Sequence, residues 1–193
     1  MKRTTVTILA AITVLVALSG SAKAAALTFT LNEVGSDVVG AVSGTLNTGG
    51  LTSARLTRCS SVVIPIAGIL GIGPDDSKWA VWEGLSGSTA AFGYSPSPNY
   101  ADVASGDRAA MALSANYVFV STSYVSGSAL SGTATWRGKS FATMGITTGT
   151  YTMTYNGGVD SVVLQAGIVP EPATMSLLSL GGIATLIRRR RRA

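Results

Sequence analysis

The feature that most restricts this chain is a pair of apolar segments, one near each end, that a water-soluble domain cannot carry on its surface. Residues 6–18 place Ile8, Leu9, Ile12, Val14, Leu15 and Val16 on every side of a helix, and a helix with no polar face cannot lie half-exposed on a core. Residues 173–187 form a second uncharged stretch containing Met175, Leu177, Leu178, Leu180, Ile183, Leu186 and Ile187. At 15 residues it falls short of the roughly 20 that a full membrane span takes. Both segments read as addresses or anchors. The folding unit must therefore be built from the residues between them.

At the N-terminal end, Lys2-Arg3, the apolar stretch, Ser19-Gly20-Ser21 and Ala22-Lys23-Ala24 follow in the order of a secretory signal peptide over residues 1–24, helical in its apolar part. The small side chains of Ala22 and Ala24 fit the shallow pockets of a signal peptidase. Cleavage is expected after Ala24, with Ala26 as the fallback. At the other end, Pro170 and Pro172 hold Glu171 on a stiff, extended stalk that continues neither a strand nor a helix. Arg188, Arg189, Arg190, Arg191 and Arg192 close the apolar stretch. Their snorkelling side chains and the cytoplasmic bias of basic residues would brace it as a short stop-transfer transmembrane helix. Residues 168–193 are thus expected to form an anchor segment that leaves the intervening domain outside the membrane. A nucleic-acid-binding tail is the alternative for the arginines, and the apolar helix directly before them argues against it.

The net charge of +5 is misleading for the same reason. Residues 25–169 hold six basic and eight acidic side chains, a mildly acidic body with no basic face for nucleic acid. The chain has no histidine, and Cys59 is its single cysteine. An intramolecular disulfide, a zinc site with the usual ligands and Ser-His or Cys-His pairs are therefore ruled out. Cys59 is expected to pack as a small apolar residue beside a strand.

Within residues 25–167 the apolar residues alternate in short runs. Leu27, Phe29 and Leu31 alternate with Thr28 and Thr30, which predicts a strand at the start of this region. Further strands are expected at 37–44, 61–66, 79–82, 111–113, 117–120, 132–137, 150–155 and 159–165, with Gly, Ser, Asn and Pro clusters between them. No segment of this region sustains a helical period. Asn156-Gly157-Gly158 supplies residues tolerant of positive φ for a hairpin between the last two strands. The expected fold is all-β, a single β-sandwich or jelly-roll-like domain, with a barrel as the alternative. Residues 68–74 and 86–99 read as the longest loops.

Candidate chemistry is sparse. Asp75, Asp76, Glu83, Asp102 and Asp107 could supply paired carboxylates for glycoside hydrolysis. Most of them flank Gly, Pro or Ser, where an aspartate usually caps a turn. No catalytic residue is assigned, no acidic loop suited to Ca²⁺ appears, and neither a metal nor a cofactor is expected. Trp79, Trp82, Tyr94 and Tyr100 fall in one stretch and could stack on sugar rings. Trp79 and Trp82 lie three residues apart and face opposite ways on a regular strand, so at least one belongs to the core. Gly49-Gly50 and Gly71-Ile72-Gly73 lack the helix start or lysine of a phosphate loop and read as turns.

The tail, with Pro170-Glu171-Pro172, an apolar helix containing Gly181-Gly182 and a terminal arginine cluster, resembles the PEP-CTERM sorting signal of Gram-negative bacteria. That resemblance implies recognition at the inner membrane by an exosortase and cleavage near the Pro-Glu-Pro motif. Delivery to the cell surface or its exopolysaccharide would follow. The body resembles a recurring uncharacterised domain of PEP-CTERM proteins. The resemblance rests on Asp37-Val38-Val39, on Ser43-Gly44-Thr45-Leu46, on the run from Tyr124-Val125-Ser126-Gly127 to Ala134-Thr135-Trp136, on Phe141-Ala142-Thr143-Met144-Gly145 and on Gly149-Thr150-Tyr151. It implies a location and no chemistry. The expected protein is a non-enzymatic surface or biofilm-matrix component with a structural, adhesive or exopolysaccharide-associated role. Its expected partners are signal peptidase and the export machinery, an exosortase, exopolysaccharide and, transiently, the inner membrane. A secreted carbohydrate-active enzyme is the alternative.

Overall fold

Alternation along the chain builds fourteen strands among the described residues of a computed structural model, which cover 24–74, 78–87 and 91–167. In chain order they are β1 (Ala26–Val34), β2 (Asp37–Thr45), β3 (Thr52–Arg58), β4 (Val62–Ile64), β5 (Ile69–Ile72), β6 (Lys78–Glu83) and β7 (Ser86–Gly87). They continue as β8 (Asn99–Tyr100), β9 (Val103–Gly106), β10 (Ala109–Ala112), β11 (Tyr117–Ser121), β12 (Ala129–Trp136), β13 (Gly149–Tyr155) and β14 (Asp160–Ala166). A single-turn helix, α1 (Phe141–Met144), lies between β12 and β13. The expected signal helix, the Pro170-Glu171-Pro172 stalk, the apolar anchor helix and the arginine cluster lie outside the described residues, as do Ala22, Asp75 and Asp76. Among the described residues no helix is long and apolar enough to cross a membrane.

The strands form two seven-stranded sheets, ordered β7-β13-β14-β1-β2-β12-β9 and β3-β6-β11-β10-β5-β4-β8. Their inner faces share one core. Leu27, Phe29, Leu31, Val38, Val42, Val162 and Leu164 come from the first sheet, and Val63, Leu70, Ile72, Met111, Val118 and Val120 from the second. This is the β-sandwich that the period-two pattern predicts. Trp136 fills the space between the sheets, fully buried, with its indole N–H donating to the Asn99 carbonyl at 2.9 Å. Gly40 makes room for it. A Cβ there would lie 3.0 Å from Trp136 Cζ3 and 3.3 Å from Ile72 Cδ1.

The parallel pairing of β1 with β14 closes the first sheet, in register from Ala26↔Ser161 to Leu31↔Ala166. β2 flanks β1 and β13 flanks β14, both antiparallel. Asn156 and Gly157, at φ 52° and 67°, turn β13 into β14 as their residue types anticipate.

Five strands fall where none was expected, β3, β5, β7, β8 and β9, of which β7 and β8 are two-residue pieces at the ends of the expected loop 86–99. β5 falls within residues 68–74, expected to be a loop, and Leu70, Gly71 and Ile72 in it are buried. Gly71 is there for close approach, because a Cβ on it would sit 2.2 Å from the Ser60 carbonyl oxygen and 3.4 Å from Cys59 Sγ. The glycine read as a turn residue is therefore a packing residue inside a strand, and Cys59 lies half-buried against it. β3 carries almost no buried residue, so it has no apolar period for a sequence reading to detect. It is an edge strand, interrupted by a register shift between Ser53 and Arg55, and the Arg55 guanidinium lies 5.4 Å from the centre of the Tyr117 ring. Charge and irregularity of this kind discourage edge-to-edge pairing.

Gly71→Ala is expected to destabilise the processed protein by about 1–3 kcal/mol, read from urea unfolding. A turn glycine with free space around it would give a much smaller change.

Candidate functional site

The most elaborate polar arrangement lies at the end of the sandwich where β1 and β14 begin. Along β14 the buried positions are Asp160, Val162, Leu164 and Ala166, so Asp160 occupies a core-facing place in an otherwise apolar series. It is 4% exposed. The Ala25 N–H donates to Oδ1 at 2.7 Å, and Oδ2 accepts from Asn47 Nδ2 at 3.2 Å and from Asn156 Nδ2. Burial alone would raise the carboxyl pKa. The bonds from Asn156, Ala25 and Asn47 outweigh burial and hold it below its ordinary value.

Each donor is fixed by its own local structure. Asn47 caps the turn Thr48–Gly50 by accepting from the Gly49 N–H at 3.0 Å, which aims its amide nitrogen at Asp160. Asn156 is the first residue of the β13–β14 turn. Ala25 is buried, and its carbonyl accepts from the Ser161 N–H at 3.0 Å, so the residue is gripped on both sides. Gly44, at φ 112°, lets the Ala26 carbonyl pass, because a Cβ there would sit 2.0 Å from that oxygen.

Two tyrosines complete the arrangement. Tyr155 accepts from the Asn47 N–H at 3.1 Å, and its pKa is pushed up to about 12, mainly by burial. Tyr124 accepts from the Leu46 N–H at 2.9 Å and lies 2.7 Å from the Ser128 carbonyl, and burial raises its pKa too. The cleft in front, about 680 Å³, is lined by residues that include Ala24, Ala25, Gly44, Asn47, Gly127 and Asp160. A carboxylate whose lone pairs are taken by three N–H donors is a fixed acceptor, suited to holding an amine or amide. Thr45 supplies the hydroxyl side chain of this lining.

Of the carboxylates considered for catalysis, Asp102 and Asp107 accept from backbone N–H groups, as do Asp37 and Glu33. Asp102 Oδ2 accepts from the Arg137 N–H at 2.7 Å, and Asp107 Oδ2 from the Ser131 N–H at 2.9 Å. Asp37 Oδ1 accepts from the Gly138 N–H at 2.9 Å, and Glu33 accepts from the Phe141 N–H. Asp37, Asp102 and Glu33 thus pin residues 137–141 from three directions, ahead of a helix start that Ser140 and Thr143 cap reciprocally. Glu83 is half-buried at the end of β6. No cluster of three or more His, Cys, Asp or Glu suited to a metal ion occurs among the described residues.

The four aromatic residues separate. Trp79 is fully buried and has no face to offer a sugar. Trp82 is half-buried against the core. The indole N–H of each is buried without a hydrogen-bond partner among the described residues. Tyr94 and Tyr100 are 69% and 64% exposed. Ala24, the expected last residue of the signal, is exposed, while Ala25 beside it is buried.

Asp160 and Asn47 were not singled out by their residue types, and Asn156 was read as a turn residue alone. The available signal was the acid at an inward position of the alternating run Asp160, Val162, Leu164, directly after a hairpin turn.

Residues 169–192 match the family of the PEP-CTERM protein-sorting motif. These residues thus form a PEP-CTERM sorting motif, which marks the chain for export and for membrane-anchored processing by exosortase. No curated protein and no solved structure matches it.

Asp160→Ala leaves the Ala25 N–H and two amide groups without their acceptor, at about 1–3 kcal/mol for each buried group. The folded carboxyl titrates below the ordinary value of 3.8. Its contribution is therefore complete above that value and is lost as the pH falls through the lower folded value. The stability difference between Asp160→Asn and the parent, followed by urea unfolding, should shrink as the pH falls below that value. A difference independent of pH would contradict this role.

Proposed function

We propose that this protein is an exosortase-sorted component of the bacterial cell surface or extracellular matrix, with a structural, adhesive or exopolysaccharide-associated role and no catalysis of its own. The observation that carries the reading is the position of the sorting motif relative to the last strand. β14 ends at Ala166, the Gly167 N–H donates to the Leu31 carbonyl at 2.8 Å, and the motif begins at residue 169. The sorting segment follows the domain with almost no linker.

Because β1 and β14 run parallel, the chain leaves the domain at the end opposite Ala25. Six paired residues at about 3.3 Å each separate the two ends. A domain held by its tail would therefore present the Ala25, Asn47, Gly127 and Asn156 end outward. The non-enzymatic reading is supported by the use of Asp102 and Asp107 as backbone acceptors. The exopolysaccharide reading now rests on Tyr94 and Tyr100, whose exposed rings suit sugar faces. Cleavage near Pro170-Glu171-Pro172 and a Gram-negative host belong to the same proposal.

Replacing residues 168–193 with a soluble tag should abolish membrane association and surface delivery in fractionation with body-specific antibodies. Unchanged sorting would overturn the proposal. Tyr94→Ala combined with Tyr100→Ala should release the folded, sorted protein from the organism's own exopolysaccharide, and full retention would remove the aromatic contact from the account.

A further inference from the structure

Asp160 poses a question that its hydrogen bonds do not answer. A carboxylate with 4% exposure carries a full charge, yet Ala25, Asn47 and Asn156 are neutral donors. Buried charges are ordinarily matched by an opposite charge. The group closest to its Oδ1, at 2.7 Å, is the nitrogen of Ala25. That nitrogen belongs to the peptide bond at which the small-residue pattern of Ala22 and Ala24 places signal cleavage.

We propose that hydrolysis of the Ala24–Ala25 bond creates the missing cation, so that the α-ammonium of Ala25 docks on Asp160 as a buried ion pair that locks the processed domain. The inference rests on the export reading above. In the hydrolysis the C–N bond breaks, water gives its hydroxyl to the Ala24 carbonyl carbon and a proton to the Ala25 nitrogen, and the resulting amine takes a second proton from solvent near neutral pH. The amide N–H already aimed at Oδ1 becomes one of three ammonium protons. The Ala25 carbonyl stays on Ser161, so β1 need not move. The change in exposure between Ala24 and Ala25 falls at the same bond, and the cleft in front leaves room for the new terminus. Cleavage after Ala26 would remove Ala25 and leave Asp160 with the two asparagines alone.

The titratable groups facing the pair are Tyr155 on β13 and, next to it, Tyr124 after β11. Tyr155, pushed up to about 12, stays neutral while the amine titrates. An α-amine ordinarily titrates at about 7.7–8.0. Burial lowers that value, whereas a carboxylate in contact raises it by about 1–3 units, and at 2.7 Å the carboxylate dominates. The folded pKa is then above the unfolded one. The stabilisation is complete below the unfolded value and is lost as the pH rises through the folded value.

The test uses the full chain expressed in exporting cells, from which the processed protein is recovered, its N-terminus sequenced and its α-amine titrated by NMR. The expected result is a first residue of Ala25, an amine pKa at least about one unit above the ordinary value, and return to that value in Asp160→Asn. A protein that begins at Ala25 with an ordinary amine pKa overturns the ion pair and leaves the export reading intact. One that begins elsewhere overturns the proposal by removing or burying the terminus differently. Failure to recover any processed protein outside the cytoplasm overturns the export reading and the proposal with it. The parent titration decides the case even where Asp160→Asn does not accumulate.

Discussion

The parallel contact between the first and last strands is the constraint on which the rest of the structure depends. β1 and β14 meet across a separation of 135 residues between Ala25 and Asp160, so no local turn brings them together. Loop closure over that length adds a penalty that grows only with the logarithm of length, and burial must outweigh it. Leu27, Phe29 and Leu31 on one strand and Val162 and Leu164 on the other are each fully buried. At about 1.5–3 kcal/mol for a fully buried aliphatic or aromatic side chain, this strip is enough to hold the pair. With β2 and β13 on its flanks, the pair forms the centre of its sheet, and the edges of the sheet are short or irregular.

That contact also fixes the polarity of the molecule. Ala25 and Gly167 lie at opposite ends because the strands are parallel. An antiparallel closure would have put both at one end. The glycines that attend the contact serve proximity. Gly44 admits the Ala26 carbonyl beside β2, and Gly167, at φ 69°, turns the chain out of β14 beside Thr148. Glu33, Asp37, Asp102 and Asp107 likewise accept from backbone N–H groups, and Asp160 divides its oxygens between the Ala25 N–H and two asparagine amides. A domain with few charges and no disulfide thus obtains its turns from carboxylates and asparagines.

Much of this was legible in the sequence where one face of a strand is buried. β1, β2, β11, β13 and β14 show clean alternation, and their predicted positions agree with the observed ones to within a few residues. The hairpin at Asn156 was legible from its residue types. β5 was obscured because Gly71 serves a crossing backbone and not a turn, and residue identity does not distinguish the two uses. β3 was obscured because an exposed edge strand has no apolar period. The sorting tail was the most legible part, since hydrophobic length and charge placement act over contiguous residues. The Asp160 cluster was the least legible, since its members, at 25, 47, 156 and 160, meet only after the ends of the domain have joined.

Native-state hydrogen exchange of the processed protein tests this account most directly. If the first and last strands hold the sandwich together, the backbone amides of Phe29, Leu31, Val162 and Leu164 exchange only through global unfolding, at a rate matching the stability from denaturation. Faster exchange of these amides than of those in β10 and β11 would show that the two ends open while the rest stays folded, and would contradict it.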